Sequence, residues 1–173
     1  KATENATYEA RFFRGCVVVG KSNNNSWGNI TQITYEDGTQ IGLYAATKRV
    51  VVKEGTIVKI NTFTNNGYRL GSWTDDEYNE VGTEDNLVVE ATKDVTYTAN
   101  FEEAFYYLTV RANDDSYGSA EAESGTSSGT TVKVGLNMTA TLRATNKNGY
   151  KFVNWTKGEN VVSSDAEYTV PAI

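Results

Sequence analysis

The side chains in this chain that could do chemistry are carboxylates, indoles and phenols. Three acids run together at Asp75-Asp76-Glu77 and two at Asp114-Asp115. Calcium takes about six to eight oxygens from a preformed loop, with acids at alternating positions and a glycine at the bend. Neither cluster has that alternation, so both read as solvated turn acids and no metal site is expected. Two carboxylates held about 5–10 Å apart across a cleft would serve glycoside hydrolysis, but no acid here sits in an unusual apolar context. The chain has no histidine, which removes the commonest general base, the serine-type triad and most zinc sites. Cys16 is the single cysteine, so no intrachain disulfide can form. Within Cys16-Val17-Val18-Val19 it reads as a small buried hydrophobe. An isopeptide crosslink needs a buried lysine, asparagine and acid together, and Lys59 and Asn61 fall on a polar strand face. No catalytic residue and no cofactor is expected.

The indoles are the stronger invitation, because sugars stack on exposed Trp. Trp73 and Trp155, however, sit in a segment that occurs twice: Asn66-Gly67-Tyr68-Arg69-Leu70-Gly71-Ser72-Trp73-Thr74 and Asn148-Gly149-Tyr150-Lys151-Phe152-Val153-Asn154-Trp155-Thr156. A residue that both copies require is a packing residue first. Trp73, Trp155, Tyr68, Tyr150, Tyr97 and Phe101 are therefore expected in the core. The binding candidates are aromatics peculiar to the first copy. Tyr35 and Tyr44 flank an extra hairpin, Tyr78 lies in the acidic loop, and Trp27 precedes a glycine nearby. A hairpin that one copy has and its sister lacks is not needed for the fold and is free to carry function.

The elements that must hold these residues are strands. Thr56 to Phe63 alternates with period two, as do Tyr106 to Arg111 and Tyr68 to Trp73. That is the pattern of antiparallel strands with one buried and one wetted face. No stretch carries a helical stripe over three turns. Asp37-Gly38 between alternating segments marks a hairpin, which the second copy replaces with the shorter Ser124-Gly125-Thr126-Ser127-Ser128-Gly129. A second recurrence pairs Ala2–Phe12 with Ala91–Phe101, without a gap. The expected fold is all-β: two tandem small antiparallel β-sheet or sandwich-like repeat domains, residues 1–103 and 104–173, with β-grasp-like repeats as the alternative. In this frame residues 1–14 are the last strand of a preceding repeat or swap into the first domain, and the second domain lacks its last strand. Lys1 begins inside a repeat, so the chain is expected to be a piece of a longer protein.

Of the 173 residues, 39% are hydrophobic and 12% aromatic, with 11 Tyr, 15 Gly and a single Pro. This composition suits half-buried strands and tight turns rather than disorder. The net charge is −6 and the charges of both signs are dispersed. Nucleic acid and anionic membrane both demand clustered Lys and Arg, so neither is an expected partner, and no run is long and apolar enough to insert in a bilayer.

Taken in order, an opening strand, Gly-Thr-x-Val, an alternating strand, Asn-x-Gly-Tyr then Trp-Thr, a polar turn and Val-Thr-Tyr-Thr-Ala-Asn-Phe resemble the divergent internalin-type B-repeat, or bacterial repeat domain. The carriers are Gly55-Thr56-Ile57-Val58, Asn66–Thr74 and Val95–Phe101, then Gly129-Thr130-Thr131-Val132 and Asn148–Thr156. The resemblance covers residues 50–101 and 106–170 well and 20–49 weakly. It implies small β-domains in arrays on secreted or cell-wall-anchored bacterial proteins, with no catalytic residues to carry over. A bacterial source would leave sequons such as Asn29-Ile30-Thr31 idle. The expected function is then a non-enzymatic, extracellular or cell-surface stalk, spacer or adhesive module. Its partners would be neighbouring repeats of the same chain, with a host or polysaccharide surface as a further candidate. The alternative is a carbohydrate-binding accessory module of a secreted enzyme. A third reading is interaction by strand addition: if the second copy lacks its last strand, an edge is open there for another molecule's Ala2–Phe12.

Overall fold

Alternating apolar residues separated by turn signals have one stable outcome, sheets that close on each other. The computed structural model describes residues 7–41 and 48–172, and every regular element among them is a strand. The first repeat supplies β1 (Gly15–Ser22), β2 (Gly28–Tyr35), β3 (Arg49–Lys53), β4 (Thr56–Thr64), β5 (Tyr68–Thr74), β6 (Glu80–Gly82), β7 (Leu87–Ala91) and β8 (Val95–Glu103). The second supplies β9 (Phe105–Thr109), β10 (Gly118–Ser124), β11 (Ser127–Gly129), β12 (Thr131–Gly135), β13 (Ala140–Asn146), β14 (Trp155–Lys157), β15 (Asn160–Ser163) and β16 (Glu167–Val170). The fold is all-β, as the alternation predicts. By packing, the chain forms two compact units. One comprises residues 1–23, 29–63 and 71–100; the other comprises 24–28, 64–70 and 101–173.

The first repeat builds a five-stranded sheet in the order β3-β1-β8-β5-β6 and a three-stranded sheet β2-β4-β7. Strand β1 runs antiparallel to β3, with Val18 opposite Val50. It runs parallel to β8, with Val18 opposite Val95 and Ser22 opposite Ala99. The alternation predicts antiparallel neighbours and does not foresee this parallel pair. The reason is that β1 and β8 are the first and last strands of the repeat, joined by no turn whose chemistry would announce their pairing. Cys16 and Val18 of β1, Val50 and Val52 of β3, Val95 and Ala99 of β8, and Val58 and Ile60 of β4 are buried. Each such aliphatic side chain contributes about 1.5–3 kcal/mol. A Cβ on Gly20 would lie 2.9 Å from Ile60 and 3.2 Å from Ile30, so the glycine lets β1 approach the side chains of the facing sheet.

The second repeat uses most of the same strands in smaller sheets. Strand β10 pairs with β11 and β13, and β13 with β16, giving β11-β10-β13-β16. The Gly/Ser turn expected there is a tight hairpin, with Ser124 opposite Ser127 and Gly125 at φ 57°. The counterpart of the five-stranded sheet is two separate ladders, β12-β9 and β14-β15. Among the described residues no strand occupies the place that β8 holds in the first repeat. The effect reaches both of its would-be neighbours. β9 ends at Thr109 where β1 continues to Ser22, and β14 has three residues where β5 has seven. The backbone N–H of Phe152 is held by the Asn146 side chain at 2.9 Å instead of by a ladder. The core here is Val110, Ala120, Ala122, Val132, Val134, Ala140, Leu142 and Trp155, with Tyr106, Phe152 and Tyr168 packed against it.

Candidate functional site

The paired glycine-tyrosine turns are where sequence and structure meet most closely. Gly67 and Gly149 both sit at positive φ, 86° and 88°, a conformation that costs glycine nothing. Each turn closes through a backbone bond, Tyr68 N to Asn65 O at 3.2 Å and Tyr150 N to Lys147 O at 3.1 Å. The tyrosine that follows stacks on an aromatic from the start of its repeat. Trp27 lies on Tyr68 with centroids 5.4 Å apart, and Tyr117 on Tyr150 with centroids 4.4 Å apart. Tyr117 was not singled out by the sequence reading, although the match of Trp27-Gly28 to Tyr117-Gly118 signals it.

The exposure of these rings corrects one expectation. Tyr150, expected in the core, is 47% exposed, and Tyr68 is only half-buried. Both are half of a surface stack. Trp27, expected as a binding platform, is half-buried and gives one ring face to Tyr68. Of the other aromatics, Trp73, Phe101 and Trp155 are buried and Tyr97 is half-buried. Burial pushes the Tyr97 hydroxyl pKa up, and the Asp75 charge adds to it. The two tryptophans differ in a polar detail: the Trp73 Nε1 donates to the Glu84 carbonyl at 2.9 Å, whereas the buried Trp155 Nε1 and Tyr106 hydroxyl have no partner.

The remaining binding candidates are Tyr35, Tyr44 and Tyr78. Tyr44 lies outside the described residues. Tyr35 is 41% exposed at the end of β2, where the Asp37-Gly38 turn closes with Tyr35 N on Thr39 O at 2.9 Å. Tyr78 is 89% exposed and held at φ 64°. Among the described residues neither tyrosine contacts another ring. Two of the acids near Tyr78, Asp75 and Glu77, are engaged within the protein. Asp75 Oδ1 accepts from the backbone N–H groups of Glu77 and Asn79 at 2.9 Å each, and Oδ2 accepts from the Asn79 amide at 3.1 Å. Those bonds, the Asn79 side chain first, hold the Asp75 carboxyl below the usual carboxylate range. Glu77 pairs with Lys93 at 3.2 Å, which raises the lysine. Among the described residues no group of three potential metal ligands converges. A shallow hollow of about 280 Å³ is lined by Arg69, Glu103, Ala104, Phe105, Tyr106 and Leu136; its Arg69 is engaged by Glu102 at 2.7 Å and its Glu103 by Lys133 at 2.7 Å.

The sequence profile of the divergent InlB B-repeat domain matches residues 46–105 and again 108–172. No curated protein and no solved structure matches the chain. No helix among the described residues is long and apolar enough to cross a membrane.

Proposed function

Since this chain belongs to the divergent InlB B-repeat family, we propose that it is a non-enzymatic segment of a secreted or cell-surface bacterial protein, serving as stalk or spacer. The observation that carries the proposal is the tandem family match together with the way both copies use the same residues. Among the described residues, the recurring Trp73 and Trp155 are buried, and the recurring Gly67 and Gly149 shape turns. Arrays of such units derive stability from neighbours, which suits a module that sets distance. The test is topological. An antibody against this segment should label intact cells of the source bacterium, and extracellular protease should remove the epitope. Labelling only after permeabilisation overturns the reading.

The adhesive variant of this role draws on Tyr78, which the Asp75 cap presents almost fully exposed in a defined turn. A polysaccharide and host-surface binding screen with Tyr78→Ala and Tyr35→Ala as controls addresses it. Binding lost in these variants moves the module from spacer to contact surface, and absence of binding in a folded protein leaves the spacer.

A further inference from the structure

One pair among the chain's 11 tyrosines stands apart from the rest. Tyr117 and Tyr150 lie face to face, with ring centroids 4.4 Å apart and planes within 20° of parallel. Among the described residues they are the one tyrosine pair in ring contact; the other contacts join Trp27 to Tyr68, Phe105 to Tyr107 and Phe152 to Trp155. Two phenols in contact share a reaction that the mixed pairs lack, because their phenoxyl radicals couple into one biphenol. Exposure does not single the pair out. Tyr78 and Tyr107 are 89% and 68% exposed, Tyr117 and Tyr150 only 41% and 47%. Proximity singles it out, since a partner held in place replaces a chance encounter.

The backbone holds both rings in place. Tyr117 ends a turn closed by its N–H on the Asp114 carbonyl at 3.0 Å. The next residue, Gly118, starts β10 opposite Asn146 of β13. The Lys147 N–H on the Tyr117 carbonyl at 2.9 Å carries that pairing one step further, and the Tyr150 N–H on the Lys147 carbonyl at 3.1 Å closes the second turn. The Lys147 ammonium then crosses to the Asp115 carbonyl at 2.8 Å. A Cβ on Gly118 would lie 2.6 Å from the Thr145 carbonyl oxygen, so a glycine is what lets the two turns come this close. The same placement recurs in mid-chain, where Trp27 stacks on Tyr68 and both rings are half-buried. The stack therefore belongs to the repeat, and the second phenol to this copy of it.

We propose that Tyr117 and Tyr150 form an oxidative crosslinking site, which takes a peroxidase-type one-electron oxidant and joins the two turns by a dityrosine bond. Each phenol gives up one electron and its hydroxyl proton. The unpaired electron of each phenoxyl spreads to the ring carbon next to the oxygen-bearing one, and these two carbons join. Each joined carbon then loses its hydrogen as a proton, and a proton returns to each oxygen. The net loss is two electrons and two protons, which reduce one hydrogen peroxide to two waters. Both rings are half-exposed, so they turn from stacked to edge-joined without displacing a core side chain. The product constrains the unfolded chain as a disulfide would, in a chain whose single cysteine can form no internal disulfide. The inference does not rest on the spacer reading and stands or falls apart from it.

The experiment treats the dilute 173-residue chain with hydrogen peroxide and a haem peroxidase, beside a peroxide-only control. Met138 is 36% exposed and takes up oxygen from peroxide, so the readout is the digest rather than the whole mass. A linked pair of peptides carrying Tyr117 and Tyr150, lighter by two hydrogen atoms, is expected from the monomer. Dityrosine fluorescence and a melting temperature above the control should accompany it. Tyr117→Phe keeps a ring in the stack but removes one phenol. It should melt like the parent before treatment and lose the crosslink, the fluorescence and the rise, whereas Tyr78→Phe should lose none of them. Unfolding in urea before treatment should cut the intramolecular yield on the order of 10-fold or more, because the encounter is then left to chance. Absence of dityrosine from the treated folded chain overturns the proposal, as do dimers linked through Tyr78 or Tyr107 as the main product. So does a crosslink that survives Tyr117→Phe, or one that forms equally well in urea.

Discussion

The two repeats contain one motif in two conformations, and the difference lies outside the motif. Asn66–Thr74 makes its turn at Gly67 and then a seven-residue strand ending beyond Trp73. Asn148–Thr156 makes the same turn at Gly149, but the backbone enters a strand only at Trp155. The turns agree because a glycine at positive φ is a local property. The strands disagree because a strand has no hydrogen bonds of its own, and β8 stands beside one segment and not the other. The same contrast runs through β1 and β9, of eight and five residues.

The largest effect should appear in hydrogen exchange at low protein concentration. Amides of Arg69, Gly71 and Ser72 should be protected by orders of magnitude more than those of Lys151, Val153 and Asn154, since local opening spans from about zero to the global free energy. Equal protection would break the comparison at its root. Next comes truncation of the two tryptophans. Trp73→Ala should cost about 3–5 kcal/mol in chemical denaturation, and Trp155→Ala distinctly less, because Trp155 lies against an open edge and its N–H has no acceptor to lose. Gly20→Val, which writes the second repeat's Val110 into the first, should cost about 1–3 kcal/mol through its clash with Ile60 and Ile30.

Smaller contrasts sharpen the picture. The chain turns at Gly55 in one repeat and at Asn137 in the other, at φ 84° and 60°. Asn137→Gly should therefore stabilise, by about 1 kcal/mol or less, and a thermal melt would register the rise. The least effect belongs to the turns before β2 and β10. The N–H of Ser26 donates to Asn24 Oδ1 at 2.9 Å, and that of Ser116 to Asp114 Oδ1 at 2.8 Å. Bonds from the Ser116 hydroxyl and then its N–H depress the Asp114 pKa. A depressed carboxyl contributes stability above its unfolded pKa, near 4, that is lost as pH falls through the folded value. Asp114→Asn should leave the neutral-pH melting temperature nearly unchanged and flatten its decline below about pH 4. A steeper decline would contradict the sign.

Sequence and structure part company at identifiable places. That Val58 and Ile60 share one face follows from alternation alone, and the hairpin at Asp37-Gly38 from turn chemistry. Tyr150 was misplaced because recurrence marks a residue as structural without saying whether the structure is a core or a surface stack. The stack with Tyr117 is a contact across 33 positions, which no local pattern encodes. The parallel pairing of β1 with β8 escaped for the same reason, since parallel neighbours are joined by no turn whose chemistry could be read.

The sequence by itself determined what depends on neighbours in the chain: the repeat, the strand periodicity, the glycine turns and the side of each strand that seeks burial. Only the tertiary structure decided which of those segments become strands, which strand lies beside which, and which edge is left open. The physical reason is that turn geometry is settled within a few residues. A β-strand instead exists by virtue of hydrogen bonds to a partner whose position only the whole fold supplies.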